Sequence, residues 1–447
     1  YRHHRVRGGC DGNIVYDASS HQVLENQEYE RFGHGDNCSL FYKLLPLAYL
    51  RYLNLRDPGY SRERHWLGCE HGADRSQGEI RTKIRTGRRT VKKIIVVGLG
   101  HAWREHYRSV IAKLEAEDLI ALSGTVDPVC SDADLGGGWH VRAVQDIPCE
   151  FIGSDVVPII LTPDHYQVIE ELAHMGFKNI LCEKPLVSRT NEIEKVWELV
   201  AFYNLKLYAT DFYLPKTFGL QAMRGYLKRD DPRYDWLTIS NPEADFNAML
   251  GEVEGVGVQV VEAGNFCLPD IAGRPYLANN REVGGMILDL VTHACGPLHQ
   301  AQLLCEWKVL DTSLSRLSNI TSGSLVAITD ASVEVEMYVT ALLEASGIPI
   351  HLVFGKVPIP KGGLWALEVR GKNGMYYAGL RTGQPAILVS NDGNIVTFSL
   401  EMTSYEFVIR EALLYFDGLL QGFDGNYGAF LASMAVGQAI IEKHQKR

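Results

Sequence analysis

The run Val91-Lys-Lys-Ile-Ile-Val-Val97 leads into Gly98-Leu99-Gly100, and then into a helical stretch, His106 to Glu117, with Val110, Ile111 and Leu114 on one face. A β-branched run, two glycines and an amphipathic helix in that order describe a strand that turns sharply into a helix. The pattern repeats downstream. Strands are predicted over Leu119–Val126, Asp155–Leu161, Asn179–Cys182 and Leu205–Thr210, with helices over Tyr166–Met175 and Asn191–Tyr203. Strands alternating with helices of about ten residues predict a parallel, doubly wound α/β sheet over 91–214.

After residue 235 the pattern changes. One helix, Gly285–Leu298, is followed by many strand candidates. Val333 to Val339 alternates apolar and polar residues, and Asn373-Gly374 and Asp392-Gly393 are hairpin turns. A large open antiparallel sheet is predicted over 236–400, and helix again from Ser404 to Lys446. Residues 215–447 therefore read as an α+β domain whose last helices are free to pack back on the first domain.

Residues 1–90 are a separate extension of unknown role. Through residue 93 the chain holds 17 Lys and Arg against 11 Asp and Glu, whereas the whole chain carries a net charge of −10. A basic front that packs on an acidic body is expected. The basic residues are scattered rather than blocked, and the acidic total argues against nucleic acid. Asn13–Tyr16 reads as a strand, Leu40–Leu55 as helix on either side of Pro46, Pro58-Gly59 as a turn and Arg75–Arg89 as a linker. Cys10, His34, Cys38, Cys69 and His71 supply zinc-type donors, but their spacing matches no zinc pattern, and no metal is expected. Nine cysteines without a Cys-x-x-Cys pair suggest reduced thiols. No run of about 18 apolar residues exists, which excludes a membrane-spanning helix. No apolar region follows the basic start. A cytoplasmic location is expected.

Chemistry concentrates at the predicted carboxyl ends of the first sheet's strands, where open α/β sheets bind ligands. Glycines at 98 and 100 let a backbone approach a pyrophosphate, and the following helix start favours its charge, with His101, Ala102 and Trp103 completing the turn. Trp103 stands where a third glycine is usual, and either narrows the space beside the pyrophosphate or reshapes the turn. Asp127 ends the second strand, where a carboxylate accepts from an adenosine ribose diol and repels a 2′-phosphate. No Lys or Arg follows within ten residues, which favours NAD over NADP. A turn residue before Pro128 would read the same way. Thr162-Pro163-Asp164-His165 ends the next strand; helix capping by Asp164 is the structural alternative. Glu183-Lys184-Pro185 ends the one after, with Lys184 as a candidate catalytic ammonium.

Gly-x-Gly, Thr-Pro-x-His and Glu-Lys-Pro at these spacings resemble the Gfo/Idh/MocA family of nicotinamide-dependent oxidoreductases. His106 fits the family's Gly-x-Gly-x-x-x-x-x-His opening, and Leu250-Gly-Glu-Val253 its Gly-x-Val step. Thr210-Asp211-Phe212-Tyr213 falls where members carry Gly-His-Asn-Tyr, and Gly284-Gly285-x-x-x-Asp289-x-x-x-His293 matches a family helix. The resemblance spans roughly 92 to 440 and implies a Rossmann domain followed by a sheet domain. It also implies NAD(P)-dependent oxidation of a secondary alcohol, or reduction of a ketone, in a sugar or polyol, with a homodimer or homotetramer formed through the open sheet. It implies Lys184, Asp289 and His293 as the catalytic set. His293 would take the alcohol proton, Lys184 would steady the alkoxide, and Asp289 would orient His293 or the substrate hydroxyls. Asp211 and Tyr213, with Lys184 and His293, would contact substrate. Asp211 in place of Asn adds a carboxylate and suggests a hydroxyl-rich or cationic substrate, such as an amino sugar. A non-catalytic NAD(P)-binding regulator and a tightly held NAD that shuttles hydride internally are the alternatives.

Overall fold

The computed structural model describes residues 91–129, 138–163, 165–211, 213–263, 285–317, 335–357, 363–379, 385–420, 423 and 425–446. All lie within one compact unit, Arg75–Arg447. The expectations for residues 1–90, including the five zinc-type donors, fall outside the described residues, as do Asp164, Phe212 and Gly284.

The first sheet holds β1 (Lys92–Val97), β2 (Ile120–Val126), β3 (Trp139–Val141), β4 (Val156–Ile160), β5 (Asn179–Glu183) and β6 (Lys206–Thr210). Their order is β3-β2-β1-β4-β5-β6, with every pair parallel. β4 is buried along its whole length and β1 nearly so, which is why both read as continuous apolar runs. Helices α1 (Arg108–Ala116), α2 (His165–Met175) and α3 (Ile193–Tyr203) supply the crossovers. The predicted helix from His106 differs at its start. Trp103–Tyr107 is a π-helical turn that buries Trp103 and Tyr107, and α1 begins only at Arg108.

The chain continues through α4 (Phe218–Met223), β7 (Leu237–Ile239), α5 (Phe246–Leu250), β8 (Val253–Ala263) and α6 (Gly285–Gln300). Next come β9 (Trp307–Leu317), β10 (Val335–Ala345), β11 (Ile348–Val357), β12 (Gly363–Gly371), β13 (Gly374–Gly379), β14 (Ala386–Ser390) and β15 (Ile395–Leu400). These strands form one nine-stranded sheet, ordered β7-β15-β14-β13-β12-β8-β11-β10-β9. The antiparallel expectation needs correction at one place: β8 and β11 run parallel, so the sheet is mixed. Helix α6 and strands β9 and β10 separate β8 in the chain from β11, its parallel neighbour.

The chain ends in α7 (Ser404–Phe416) and α8 (Tyr427–Gln445), which pack back on β6. An edge strand presents unpaired backbone groups. Asn426, at the start of α8, meets both polar groups of Ala209: its Oδ1 accepts from the Ala209 N–H at 2.7 Å, and its Nδ2 donates to the Ala209 carbonyl. Lys206 Nζ donates to the Phe416 carbonyl at 2.8 Å, which satisfies the C-terminal end of α7.

Candidate active site

The Gly98 turn is built by backbone geometry. Gly98 has φ +101°, and a Cβ there would come within 3.0 Å of the Leu161 backbone and the Thr162 side chain. Glycine is therefore required both by conformation and by space. At Gly100 a Cβ would meet nothing within 4 Å, so this side of the turn is open. Asp127 braces the turn: Oδ2 accepts from the Leu99 N–H and Oδ1 from the Val129 N–H, both at 2.8 Å. His101 is exposed and Ala102 half-buried, while the Trp103 ring is 1% exposed and belongs to the hydrophobic core. Thr162 is half-buried and its hydroxyl has no protein partner among the described residues; Pro163 is exposed.

Across the same sheet edge, side chains from five elements form a charged cluster. Lys184 follows β5, and its Nζ lies 3.0 Å from Asp289 Oδ1 on α6. Asp289 Oδ2 faces Lys356 Nζ on β11 at 2.9 Å, and Lys356 reaches Glu262 Oε2 on β8 at 2.7 Å. One turn along α6, His293 Nδ1 lies 2.8 Å from Asp211 Oδ2, just beyond β6, and both side chains are fully buried. Asp211 Oδ1 accepts from the Tyr213 N–H at 2.8 Å. The Tyr213 ring stacks on Trp365 (5.0 Å, 7°) and stands edge-on to His293 (4.9 Å, 85°). Trp365 Nε1 donates to the His293 carbonyl at 3.2 Å.

The charges set protonation states. Burial works against the Lys184 ammonium, but Asp289, Glu262 and Glu183 outweigh it, and its pKa stands above the ordinary value. Burial likewise opposes the Asp289 carboxylate, yet Lys184 and Lys356 hold it well below the usual range. Asp289 is thus an anion and Lys184 a cation at neutral pH. Glu183 accepts from the Tyr107 hydroxyl at 2.6 Å and from the Lys184 N–H at 2.9 Å, and burial pushes its carboxyl up.

Residues 92–210 match the profile described as "Oxidoreductase family, NAD-binding Rossmann fold". Over these residues the chain matches the Gfo/Idh/MocA family model. No curated protein sequence matches the chain. Among solved structures, an oxidoreductase from Thermotoga maritima shares 14% identity over 79% of this chain and 97% of its own, with a TM-score of 0.57. Levoglucosan dehydrogenase in complex with NADH and levoglucosan shares 14% over 80% and 98%, at 0.60. The 3-ketoreductase KijD10 from Actinomadura kijaniata, in complex with NADP and TDP-benzene, shares 16% over 79% and 97%, at 0.55. The shared two-sheet fold therefore extends well beyond the Gfo/Idh/MocA segment.

Several sequence expectations need revision. Asp289 pairs with Lys184 and Lys356, and the carboxylate that pairs with His293 Nδ1 is Asp211, 82 residues earlier. Asp211 is therefore engaged by His293 and the Tyr213 N–H, so the amino-sugar argument loses its footing. Tyr213 is buried as a wall behind the imidazole. Trp103 does not line the turn, because its ring is in the core. His165 is buried, with Nδ1 bonded to the Pro185 carbonyl, so it braces the segment after Lys184. Glu183 serves Tyr107 and its own neighbour. Sequence reasoning missed Glu262, Lys356, Trp365 and Tyr405. His106 stacks on Tyr405 of α7 (4.7 Å, 7°), which joins α7 to the π-helical turn that follows the glycines.

Proposed function

We propose that this protein is an NAD(P)-dependent dehydrogenase or ketoreductase acting on a CH–OH group of a sugar, sugar derivative or polyol. The observation that carries the reading is the pairing of an open glycine turn with a cationic Lys and an Asp-paired His at one sheet edge. A dinucleotide fits the turn: Gly98 and Gly100 admit a close backbone approach, and the unpartnered Thr162 hydroxyl offers a polar contact. Gly98, Gly100, His101, Ala102 and Thr162 would hold it, with Asp127 favouring NAD through the ribose diol. Bound there, the nicotinamide would supply the hydride acceptor or donor.

The chain's own groups handle the proton. Asp211 accepts from Nδ1 of His293, which fixes the tautomer and leaves Nε2 as the nitrogen that takes the alcohol proton. The Asp211 anion steadies the imidazolium that results. Lys184, kept protonated by Asp289, donates a hydrogen bond to the developing alkoxide. In reduction the same groups run in reverse. Homo-oligomerisation through the large sheet accompanies this reading, and light scattering on the eluted peak tests it.

The deciding experiment screens purified full-length protein with NAD and NADP against neutral sugars, polyols, amino sugars and uronates. Reduced cofactor should form with at least one neutral substrate, at a rate that Lys184→Ala and His293→Ala both lower. Turnover untouched by either substitution rejects the assignment.

A further inference from the structure

Strand alternation places two charges on an apolar face. On β8, Val256, Val258 and Val260 are buried, and Glu262 is next in phase; on β11, Ile350, Leu352 and Phe354 are buried, and Lys356 is next. Because β8 and β11 are parallel neighbours, Glu262 and Lys356 come into direct register at the same end of the sheet. The result is an alternating line, Lys184–Asp289–Lys356–Glu262, with successive contacts of 3.0, 2.9 and 2.7 Å. A buried ammonium is costly unless paired, and Lys356 is only 7% exposed. It touches neither the glycine turn nor His293 in any described hydrogen bond, so packing alone would have favoured an apolar residue in its place.

We propose that Lys356 is a positioning residue for Lys184: by holding Asp289 Oδ2 and Glu262, it limits the catalytic ammonium to one carboxylate partner. This rests on the oxidoreductase reading only for its consequence, since the charge arrangement stands without it. Without Lys356, Asp289 and Glu262 would both draw on Lys184, and the substrate oxygen would meet a weaker donor in a more negative site. Glu183 lies beside Lys184 on the chain, and His293 on α6 acts by charge on Asp289 and Glu262 when protonated; Lys356 pairs with both acids directly, at 2.9 and 2.7 Å. Burial opposes the Lys356 charge, and Asp289 and Glu262 overcome it, which keeps the line intact at neutral pH.

Competitive acetylation of the full chain with acetic anhydride, read by mass spectrometry at Lys184, tests this without any substrate, because only the neutral amine reacts. Lys356→Met should slow Lys184 labelling about tenfold, the effect of one pKa unit. The double variant Glu262→Gln/Lys356→Met should return it to near the wild-type rate. Methionine remains at 356 in the double variant, so altered access cannot explain a recovery. Glu262→Gln alone, which leaves no buried acid unpaired, should label faster than wild type. A wild-type rate in Lys356→Met, no recovery in the double variant, or an unchanged or slower rate in Glu262→Gln overturns the proposal. If Lys356→Met does not fold, Glu262→Gln decides alone. Where the wild type turns over a sugar, Lys356→Met should lower kcat roughly tenfold with KM little changed. A wild type inert to every sugar and polyol rejects the oxidoreductase reading, while labelling still decides the role of Lys356.

Discussion

The glycine turn and the charged cluster lie at the same edge of one parallel sheet but are made differently. The turn is local: Gly98, Gly100 and the Asp127 brace come from β1 and β2, and its working groups are mostly backbone N–H and carbonyl. The cluster is assembled from β5, the end of β6, α6, β8 and β11, and its working groups are ionised side chains. A backbone site tolerates changes of side chain but not of conformation. A charge site tolerates small shifts of backbone but not the loss of one partner.

The largest expected effect separates the two. Lys184→Ala should lower turnover roughly 10²-fold or more, because it removes the donor to the alkoxide. NADH affinity, read by fluorescence titration, should change little if the turn binds independently. An equal loss in both would end the distinction. Asp211→Asn comes next. An Asn carbonyl can still accept from His293 Nδ1, so geometry survives while the charge is lost; kcat should fall roughly tenfold to a hundredfold with KM steady. A loss in KM alone would instead make Asp211 a substrate contact.

These two residues also show where the sequence is legible. Lys184 stands out because a strand end, a Lys and a Pro come together, whereas His293 enters through the family resemblance of the Gly-Gly-x-x-x-Asp-x-x-x-His helix. The nearness of Asp211 to His293 was not visible, since it depends on how β6 meets α6 across 82 residues. Lys356 lay in plain phase with Ile350, Leu352 and Phe354, but its partner depended on β8 and β11 being parallel neighbours, which hairpin turns cannot reveal. Of the two readings of Trp103, a narrowed or a reshaped turn, the structure agrees with the second: a π-helical turn starts there with the ring buried, and helical spacing gives no sign of it.

Gly98→Ala tests the local site. Its φ of +101° and the 3.0 Å approach to the Leu161 backbone should cost about 1–3 kcal/mol of stability, measured by denaturant unfolding, and weaken NADH binding. Little loss in either would mean that the turn relaxes and is not a rigid cradle.

The smallest effect contrasts two histidines on α6. His293 faces a carboxylate, whereas burial with no such partner lowers His299 to about 4. The folded-state pKa then lies below the unfolded value of about 6.5. Between these values the unfolded chain binds a proton that the folded chain refuses, so stability is lost as pH falls through that window. From pH 7 to pH 5 the loss should be about 2 kcal/mol from His299 alone. Other acids also titrate there, so the measurement is a difference: the fall in unfolding free energy between pH 7 and pH 5 should be smaller in His299→Gln than in wild type by about that amount. An identical fall in both proteins would mean that His299 accepts its proton in the folded state, and that burial does not hold this imidazole neutral.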